Sequence, residues 1–161
     1  MRLGLILGLA IVASLHAFAQ TRRVYTGDFY FRDEYSGTSE TVIDRGTTVE
    51  WRWESGAHTT TSVTGLWNAL INSRNHSFTF IFNNSGAYEY FCRPHPVSMR
   101  GVVKVRDPGD VDFDGCIDDA DLLAVLFNFG ETGPRCQDLN YDRVVDDADL
   151  LIVLFNFGNG C

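Results

Sequence analysis

Three side chains that can bind a metal lie within one short segment, Phe91–Met99, and this cluster constrains the fold more than any other feature of the chain. They are the thiol of Cys92, the imidazole of His95 and the thioether of Met99. With a second imidazole, they form the donor set of a trigonal copper site that has a weak axial methionine. His58 is the candidate for that imidazole, so the sequence predicts a fold that brings residue 58 to residues 92–99.

Residues 22–106 carry the patterns of β-strands. Apolar and polar residues alternate in 25–31, 47–53, 77–82 and 87–91, and 101–105 is rich in β-branched residues. Residues 66–71 offer a single helical turn. We predict a mainly-β fold, a Greek-key β-sandwich in which Cys92 ends a strand and His58 lies on a neighbouring loop. The predicted buried face holds Trp51, Trp53, Phe78, Phe80 and Phe82.

Other interpretations of Cys92 explain less of the segment. Half of a disulfide would account for Cys92 but for neither His95 nor Met99. A multicopper oxidase needs several His-x-His pairs, which this chain lacks, and a binuclear copper centre needs two cysteines in one loop. We therefore predict that the chain is not an enzyme.

A 28-residue repeat follows the segment Asp107–Gly109, which we take as a linker. Residues 110–130 and 138–158 align without gaps, and each copy is an Asp-rich loop followed by an apolar helix that ends at a glycine. The acidic residues alternate as in a twelve-residue loop that wraps oxygens around calcium, with a backbone carbonyl at position 7. The sequence thus predicts two calcium ions. The first is assigned to Asp110, Asp112, Asp114, Cys116, Asp118 and Asp121, and the second to Asp138, Asn140, Asp142, Val144, Asp146 and Asp149.

The two loops differ at position 6, where a positive φ is needed. Gly115 adopts it freely, whereas Arg143 does so at a cost of about 1 kcal/mol and brings a positive charge towards the cation. We therefore expect the first loop to bind more tightly. Cys116, Cys136 and Cys161 allow one disulfide in three ways, and we favour a pair within the tail without choosing among them.

The ends of the chain differ in character. Residues 1–19 resemble a cleavable signal peptide, with Arg2, an apolar run and an Ala-Phe-Ala site, so we predict export to the periplasm, cell surface or medium, with no membrane span in the mature chain. From Asp107 onward, 13 acidic residues face 2 basic ones. This charge favours cation binding in the tail and argues against a nucleic-acid partner.

Residues 24–106 resemble the plastocyanin-like cupredoxins, a family of small blue-copper proteins. The resemblance is carried by Gly46–Trp51, His58–Thr59, the aromatic-Cys-x-Pro-His motif ending at His95, and the Met-x-Gly-x-Val motif of 99–103. It implies one type 1 copper held by His58, Cys92, His95 and Met99. Three residues separate His95 from Met99, where family members mostly have two or four.

Residues 110–158 resemble a dockerin type I repeat pair. The resemblance implies a unit that folds on calcium and docks a cohesin-like or cell-surface receptor, although Ala120 and Ala148 replace the usual Ser or Thr. Together the two parts predict an exported blue-copper protein that carries single electrons between redox partners docking near His95, tethered by 110–161. The alternative is a surface-attached copper-binding or copper-delivery protein without redox partners.

Overall fold

The computed structural model describes residues 20–161, and within them nine strands precede two helices. The predicted signal peptide, residues 1–19, lies outside the described residues. None of the helices in the described part is long and apolar enough to cross a membrane. The strands are β1 (Thr21–Gly27), β2 (Tyr30–Asp33), β3 (Glu40–Asp44), β4 (Thr47–Trp53), β5 (His58–Ser62), β6 (Asn68–Ile71), β7 (Ser77–Phe82), β8 (Gly86–Phe91) and β9 (Arg100–Arg106), and the helices are α1 (Asp119–Phe127) and α2 (Asp147–Asn156).

The strands form two sheets that face each other. One has the order β2-β1-β4-β7 and the other β3-β9-β8-β5-β6. Neighbours that are distant in sequence, such as the parallel pairs β1–β4 and β3–β9, require crossovers between the sheets. The prediction of a mainly-β sandwich is therefore confirmed, with two short helices after it.

The core between the sheets is aromatic. Trp51 is fully buried, and its ring lies 5.3 Å from the rings of both Trp67 and Tyr90. Of the predicted buried face, Trp51 and Phe82 are buried, whereas Trp53, Phe78 and Phe80 are partly buried and pack against the core. The predicted helical turn at 66–71 is wrong, because Asn68–Ile71 forms strand β6 and its alternation fits the edge of a sheet.

The prediction of one continuous strand over 25–31 is also wrong. The chain reverses at Asp28 and Phe29, so that β1 pairs with β2 in a tight hairpin. Phe29 adopts φ 66°, a left-handed conformation that is uncommon for a bulky residue. Because the alternation of aromatic residues continues through the turn, the sequence pattern did not reveal the turn.

The two helices of the tail are nearly identical in construction. Each begins with a capping box and is followed by a glycine at positive φ, Gly130 at 81° and Gly158 at 82°. Val125 and Val153 are fully buried between the repeats. Much of the remaining apolar surface points outward, and Phe127 and Phe155 are more than four-fifths exposed.

The tail packs against one end of the sandwich. The buried guanidinium of Arg106 lies 2.9 Å from the Asp44 carboxylate and donates a hydrogen bond of 2.7 Å to the carbonyl oxygen of Cys136. The Tyr35 hydroxyl donates to the Asp138 carboxylate. These contacts join the sandwich to the segment between the repeats.

Candidate metal centres

The loop between β8 and β9 holds three of the predicted copper ligands in a compact turn. Cys92 directly follows β8 and Met99 directly precedes β9. The backbone N–H of Cys92 donates to the Met99 carbonyl, that of His95 to the Cys92 carbonyl and that of Met99 to the His95 carbonyl, each at 3.0 Å. Because the backbone closes on itself, the three side chains have little freedom to move apart.

The fourth predicted ligand comes from the adjacent strand. His58 is the first residue of β5, not part of a loop as predicted, and β5 pairs with β8. The next residue fastens the ligand loop: Thr59 donates its N–H to the Cys92 sulfur at 3.4 Å, and its hydroxyl accepts from the Arg93 N–H at 2.9 Å. His58–Thr59 belongs to the motifs that carry the cupredoxin resemblance, but these contacts of Thr59 with the ligand loop were not predicted.

The donor atoms converge at the spacing a metal ion needs. The Nδ1 atoms of His58 and His95 each lie 3.6 Å from the Cys92 sulfur. Metal bonds of about 2.3 Å to sulfur and 2.0 Å to nitrogen, set 120° apart, place the two donors about 3.7 Å apart. Cys92 and Met99 are fully buried, and His58 is 2% exposed. The arrangement therefore fits one trigonal ion, with Met99 in the same buried cluster.

His95 is the part of this centre nearest the surface. It is half-buried, and Pro94, Pro96 and Val97 around it are exposed, Val97 by 90%. The Phe29 ring packs edge-on against the His95 ring at 4.7 Å between centroids. The predicted apolar surface around His95 is thus present, and Phe29 extends it from a part of the chain that sequence patterns did not connect with the site.

The first acidic loop brings together three of its predicted ligands. Side-chain oxygens of Asp110, Asp112 and Asp114 lie within 4.8 Å of one another. The pKa of Asp110 is raised, mainly by burial and also by the neighbouring carboxylates of Asp121 and Asp112. A bound cation would offset this repulsion. Cys116, at position 7, forms a disulfide with Cys161, while Cys136 is exposed and unpaired.

The last two acidic positions of each loop also cap the following helix. Asp118 caps α1, and Asp121 accepts hydrogen bonds from the N–H groups of Val111 and Asp118 at 2.6 and 3.0 Å. In the second loop Asp146 and Asp149 repeat these contacts. Asp121 and Asp149 are fully buried, so they tie the start of each loop to its helix.

The second loop copies the backbone of the first without its glycine. Tyr141 and Arg143 adopt φ of 62° and 76°, where Phe113 and Gly115 adopt 65° and 89°. The Arg143 guanidinium donates hydrogen bonds of 3.4 Å to the carbonyl oxygens of Glu34 and Tyr35, so its charged group contacts the sandwich. These contacts offset the cost of the positive φ.

Several predicted ligands of the second loop already make contacts, either with one another or with other residues. The Asn140 amide donates to the Asp142 carboxylate at 3.0 Å, and Val144 forms a β-bridge with Thr132. One carboxylate oxygen of Asp138 accepts from the Arg143 N–H at 2.7 Å and from the Tyr35 hydroxyl. With Asn140 in place of an aspartate, this loop concentrates less negative charge than the first.

Comparison with known proteins relates part of the sandwich to a family of copper proteins. Residues 35–106 match the copper binding proteins of the plastocyanin/azurin family. The four predicted copper ligands all lie within the matched segment, and this similarity agrees with the prediction that the chain is not an enzyme.

Individual proteins are similar to parts of this chain. The chain is 34% identical over 75 residues to an amicyanin of Paracoccus versutus, a match that covers 43% of this chain and 56% of that protein. Among solved structures, an oxidized methionine-to-leucine variant of amicyanin is 26% identical, with a TM-score of 0.44, covering 55% of this chain and 82% of the other. A purple cupredoxin from Nitrosopumilus maritimus is 25% identical, with a TM-score of 0.42, covering 53% of this chain and 98% of the other. The chain thus spans little more than half the length of the Paracoccus relative.

Proposed function

We propose that this chain is a type 1 copper protein that carries single electrons. The observation that supports this most directly is the convergence of two imidazole nitrogens on the Cys92 sulfur at 3.6 Å, in a buried site. Met99, fully buried beside Cys92, would supply a thioether to the same metal. Bound copper would supply a one-electron couple between its two oxidation states.

The protein's own part is to hold the ligands in one arrangement and to give electrons a route. Three backbone hydrogen bonds close the ligand loop, and Thr59 fastens it to β5. These hydrogen bonds would keep the ligands nearly in place when bound copper changes its oxidation state. His95, half-buried within the exposed apolar patch of Pro94, Pro96 and Val97, offers a short path to a redox partner.

Copper titration of the purified chain tests the proposal. We expect a strong blue absorption from thiolate-to-copper charge transfer and reversible one-electron redox cycling. Cys92→Ser should abolish the colour, while Cys136→Ser, which removes the exposed thiol, should leave it unchanged. A colourless copper complex would refute type 1 copper, and a blue centre that does not cycle would indicate copper delivery instead.

We also propose that residues 110–161 bind two calcium ions as a dockerin-like module. The support is the grouping of Asp110, Asp112 and Asp114 within 4.8 Å and the repetition of the same positive-φ backbone in both loops. The first loop is expected to bind more tightly, because it carries one more carboxylate and Gly115 at the turn. Carboxylate oxygens in this arrangement are what calcium prefers.

Calorimetric titration of the full chain with calcium tests this second proposal. We expect two sites, with Asp112→Asn weakening the tighter one and Asp142→Asn the weaker one. Glu131→Gln, in the segment between the repeats, is the control for loss of one charge. Absence of heat at millimolar calcium would show that the repeats are a packing unit with an acidic surface.

The outward face of the helices supports docking to a receptor. Phe127 and Phe155 occupy equivalent positions and are 82% and 81% exposed. We propose that this face attaches an exported protein to a cohesin-like or cell-surface receptor, and the Cys116–Cys161 disulfide fits an oxidising compartment. Phe127→Asp/Phe155→Asp should release the protein from the cell surface, whereas Leu66→Asp, at an exposed apolar residue of the sandwich, should not.

A further inference from the structure

The tip of the β1–β2 hairpin lies against both imidazoles of the proposed copper centre. It consists of Asp28 and Phe29, between strands that end at Gly27 and begin at Tyr30. Neither tip residue belongs to the ligand set, and nothing in the strand pairing requires an aromatic residue at φ 66°. A left-handed conformation costs a residue with a side chain about 1 kcal/mol, and such strain persists where the surroundings fix it, often at functional sites.

Phe29 contacts the imidazole that faces the surface. Its ring meets the His95 ring edge-on, with 4.7 Å between centroids, although the Phe29 side chain remains 60% exposed. An exposed aromatic ring held by a strained backbone gains little from burial. What the position of the Phe29 ring does provide is the contact with the His95 ring.

Asp28 approaches the other imidazole. Its Oδ1 lies 3.4 Å from Nε2 of His58, the nitrogen opposite the one that faces Cys92. The backbone N–H of Asp28 donates to the Ser55 hydroxyl at 3.1 Å, which anchors the tip to the β4–β5 loop. A carboxylate on the outer nitrogen of a ligating histidine fixes the tautomer in which the inner nitrogen is free to bind metal.

Gly56 provides the space in which this contact forms. A Cβ atom at Gly56 would lie 2.3 Å from Asp28 Oδ1 and 2.5 Å from His58 Nε2, so any larger residue would force them apart. Gly56 also has φ of 70°, and its carbonyl accepts from the Trp53 indole at 2.9 Å. The loop is thus held in the one conformation that leaves the gap open.

We propose that the β1–β2 hairpin tip is a positioning element of the copper centre, in which Asp28 orients His58 and Phe29 holds and covers His95. This inference rests on the proposed function. These roles require no bond to Asp28 or Phe29 to form or break. The negative charge of Asp28 would favour the oxidised, more positive state of bound copper, and Phe29 limits ring motion and water access at His95.

The experiment compares hairpin variants of the copper-loaded full chain. Asp28→Asn removes the charge but keeps an acceptor oxygen, and it should raise the reduction potential while retaining the blue band. Asp28→Ala also removes the acceptor and should in addition change the copper hyperfine splitting in electron paramagnetic resonance. Glu89→Gln, which removes an exposed charge on β8 that contacts no imidazole, should leave both quantities unchanged.

Phe29→Gly separates a positioning role from a structural one. Glycine relieves the positive φ, so the melting temperature of the metal-free protein should stay the same or rise, while self-exchange of electrons changes and the blue band shifts. Phe29→Leu keeps a side chain over His95 and should give a smaller shift. These opposite effects on stability and on the centre are not expected of a residue that only packs.

The outcomes separate this inference from the proposed function. A blue wild-type protein whose potential and spectra are unchanged in Asp28→Asn, Asp28→Ala and Phe29→Gly would overturn the inference alone. A wild-type protein that forms no blue centre would overturn both. If Glu89→Gln shifts the reduction potential as much as Asp28→Asn does, the role of Asp28 would also be overturned. The effect of Asp28 would then be that of any surface charge.

Discussion

Arg106 is the residue on which the association of the two parts of the chain most depends. Its side chain has no exposure to solvent. Its Nε lies 2.9 Å from the Asp44 carboxylate, and the Asp44 side chain is 18% exposed. The same guanidinium donates to the Cys136 carbonyl and lies 5.9 Å from the centre of the Phe113 ring. Replacement by methionine keeps most of the volume but removes the charge and all its donors.

The cost of Arg106→Met follows from the groups left behind. Asp44 would lose its counter-charge in a buried site, and the Cys136 carbonyl would lose a donor. Breaking a buried ion pair from one side costs about 3–5 kcal/mol. At about 2–4 °C per kcal/mol for a chain of this size, the melting temperature should fall by roughly 6–20 °C.

The loss should depend on pH. Burial already raises the pKa of Asp44, and the Arg106 guanidinium opposes that rise. In Arg106→Met the folded-state pKa of Asp44 therefore moves further above its unfolded value. A carboxyl group whose pKa is higher in the folded than in the unfolded protein stabilises the fold when the pH is below its unfolded-state pKa. This contribution is lost as the pH rises through its folded-state pKa. The variant should thus be impaired more at pH 8 than at pH 5.

Thermal unfolding followed by circular dichroism measures the effect, with Lys104→Met as the matched control. Lys104 lies on the same strand and pairs with Glu40 at 2.8 Å, but both side chains are about two-fifths exposed, so its loss should cost at most about 1 kcal/mol. Arg106→Met/Asp44→Leu should recover part of the stability. Equal melting temperatures for Arg106→Met and Lys104→Met would refute the reasoning.

Three further outcomes are expected. Tyr35→Phe should weaken calcium binding at the second loop, because the hydroxyl that orients Asp138 is lost; calorimetry with unchanged affinity at both sites would contradict this. Cys116→Ser should destabilise the chain by about 4 kcal/mol, the chain-entropy value for a sequence separation of 45, and reductant should destabilise the wild type but not this variant in thermal melts. Burial raises the pKa of Asp33, so wild-type stability relative to Asp33→Asn should decrease as pH rises from about 4 through that raised pKa; parallel melting curves from pH 4 to 8 would show otherwise.

The candidate copper site was predictable because its chemistry is concentrated in a few residues. A thiol, an imidazole and a thioether between two strands admit few interpretations, and His58 was the upstream histidine with a suitable context. The two acidic loops were visible through their repeat. In both cases the signal was the identity of polar residues at fixed spacing, which a single sequence records directly.

Long-range contacts left no such signal. Arg106 ends an ordinary strand and Tyr35 lies in the turn after β2, so nothing in their neighbourhoods indicated that they join the sandwich to the tail. The role of the hairpin tip was hidden for a related reason. Alternation over 25–31 is shared by a straight strand and by two strands with a two-residue turn, and only tertiary pairing distinguishes them.

Strand direction places the two candidate metal regions at opposite ends of the sandwich. Strand β9 begins beside the ligand loop at Arg100 and ends at Arg106, which contacts the tail. At about 3.3 Å per residue, these ends are roughly 20 Å apart. Ionic screening acts over about 8 Å at physiological salt, so calcium in the tail should not reach the copper centre through its charge.

If the tail docks to a receptor as proposed, the apolar patch around His95 should therefore stay open to a redox partner. Calcium removal with a chelator should change helix content in residues 110–161 but leave the blue band and the reduction potential unchanged. Asp112→Asn/Asp142→Asn, treated with the same chelator, controls for effects of the chelator on copper itself. A shift in potential that occurs in the wild type and not in this variant would mean that the sandwich transmits the state of the tail to its far end, and the separation argued from β9 would be wrong.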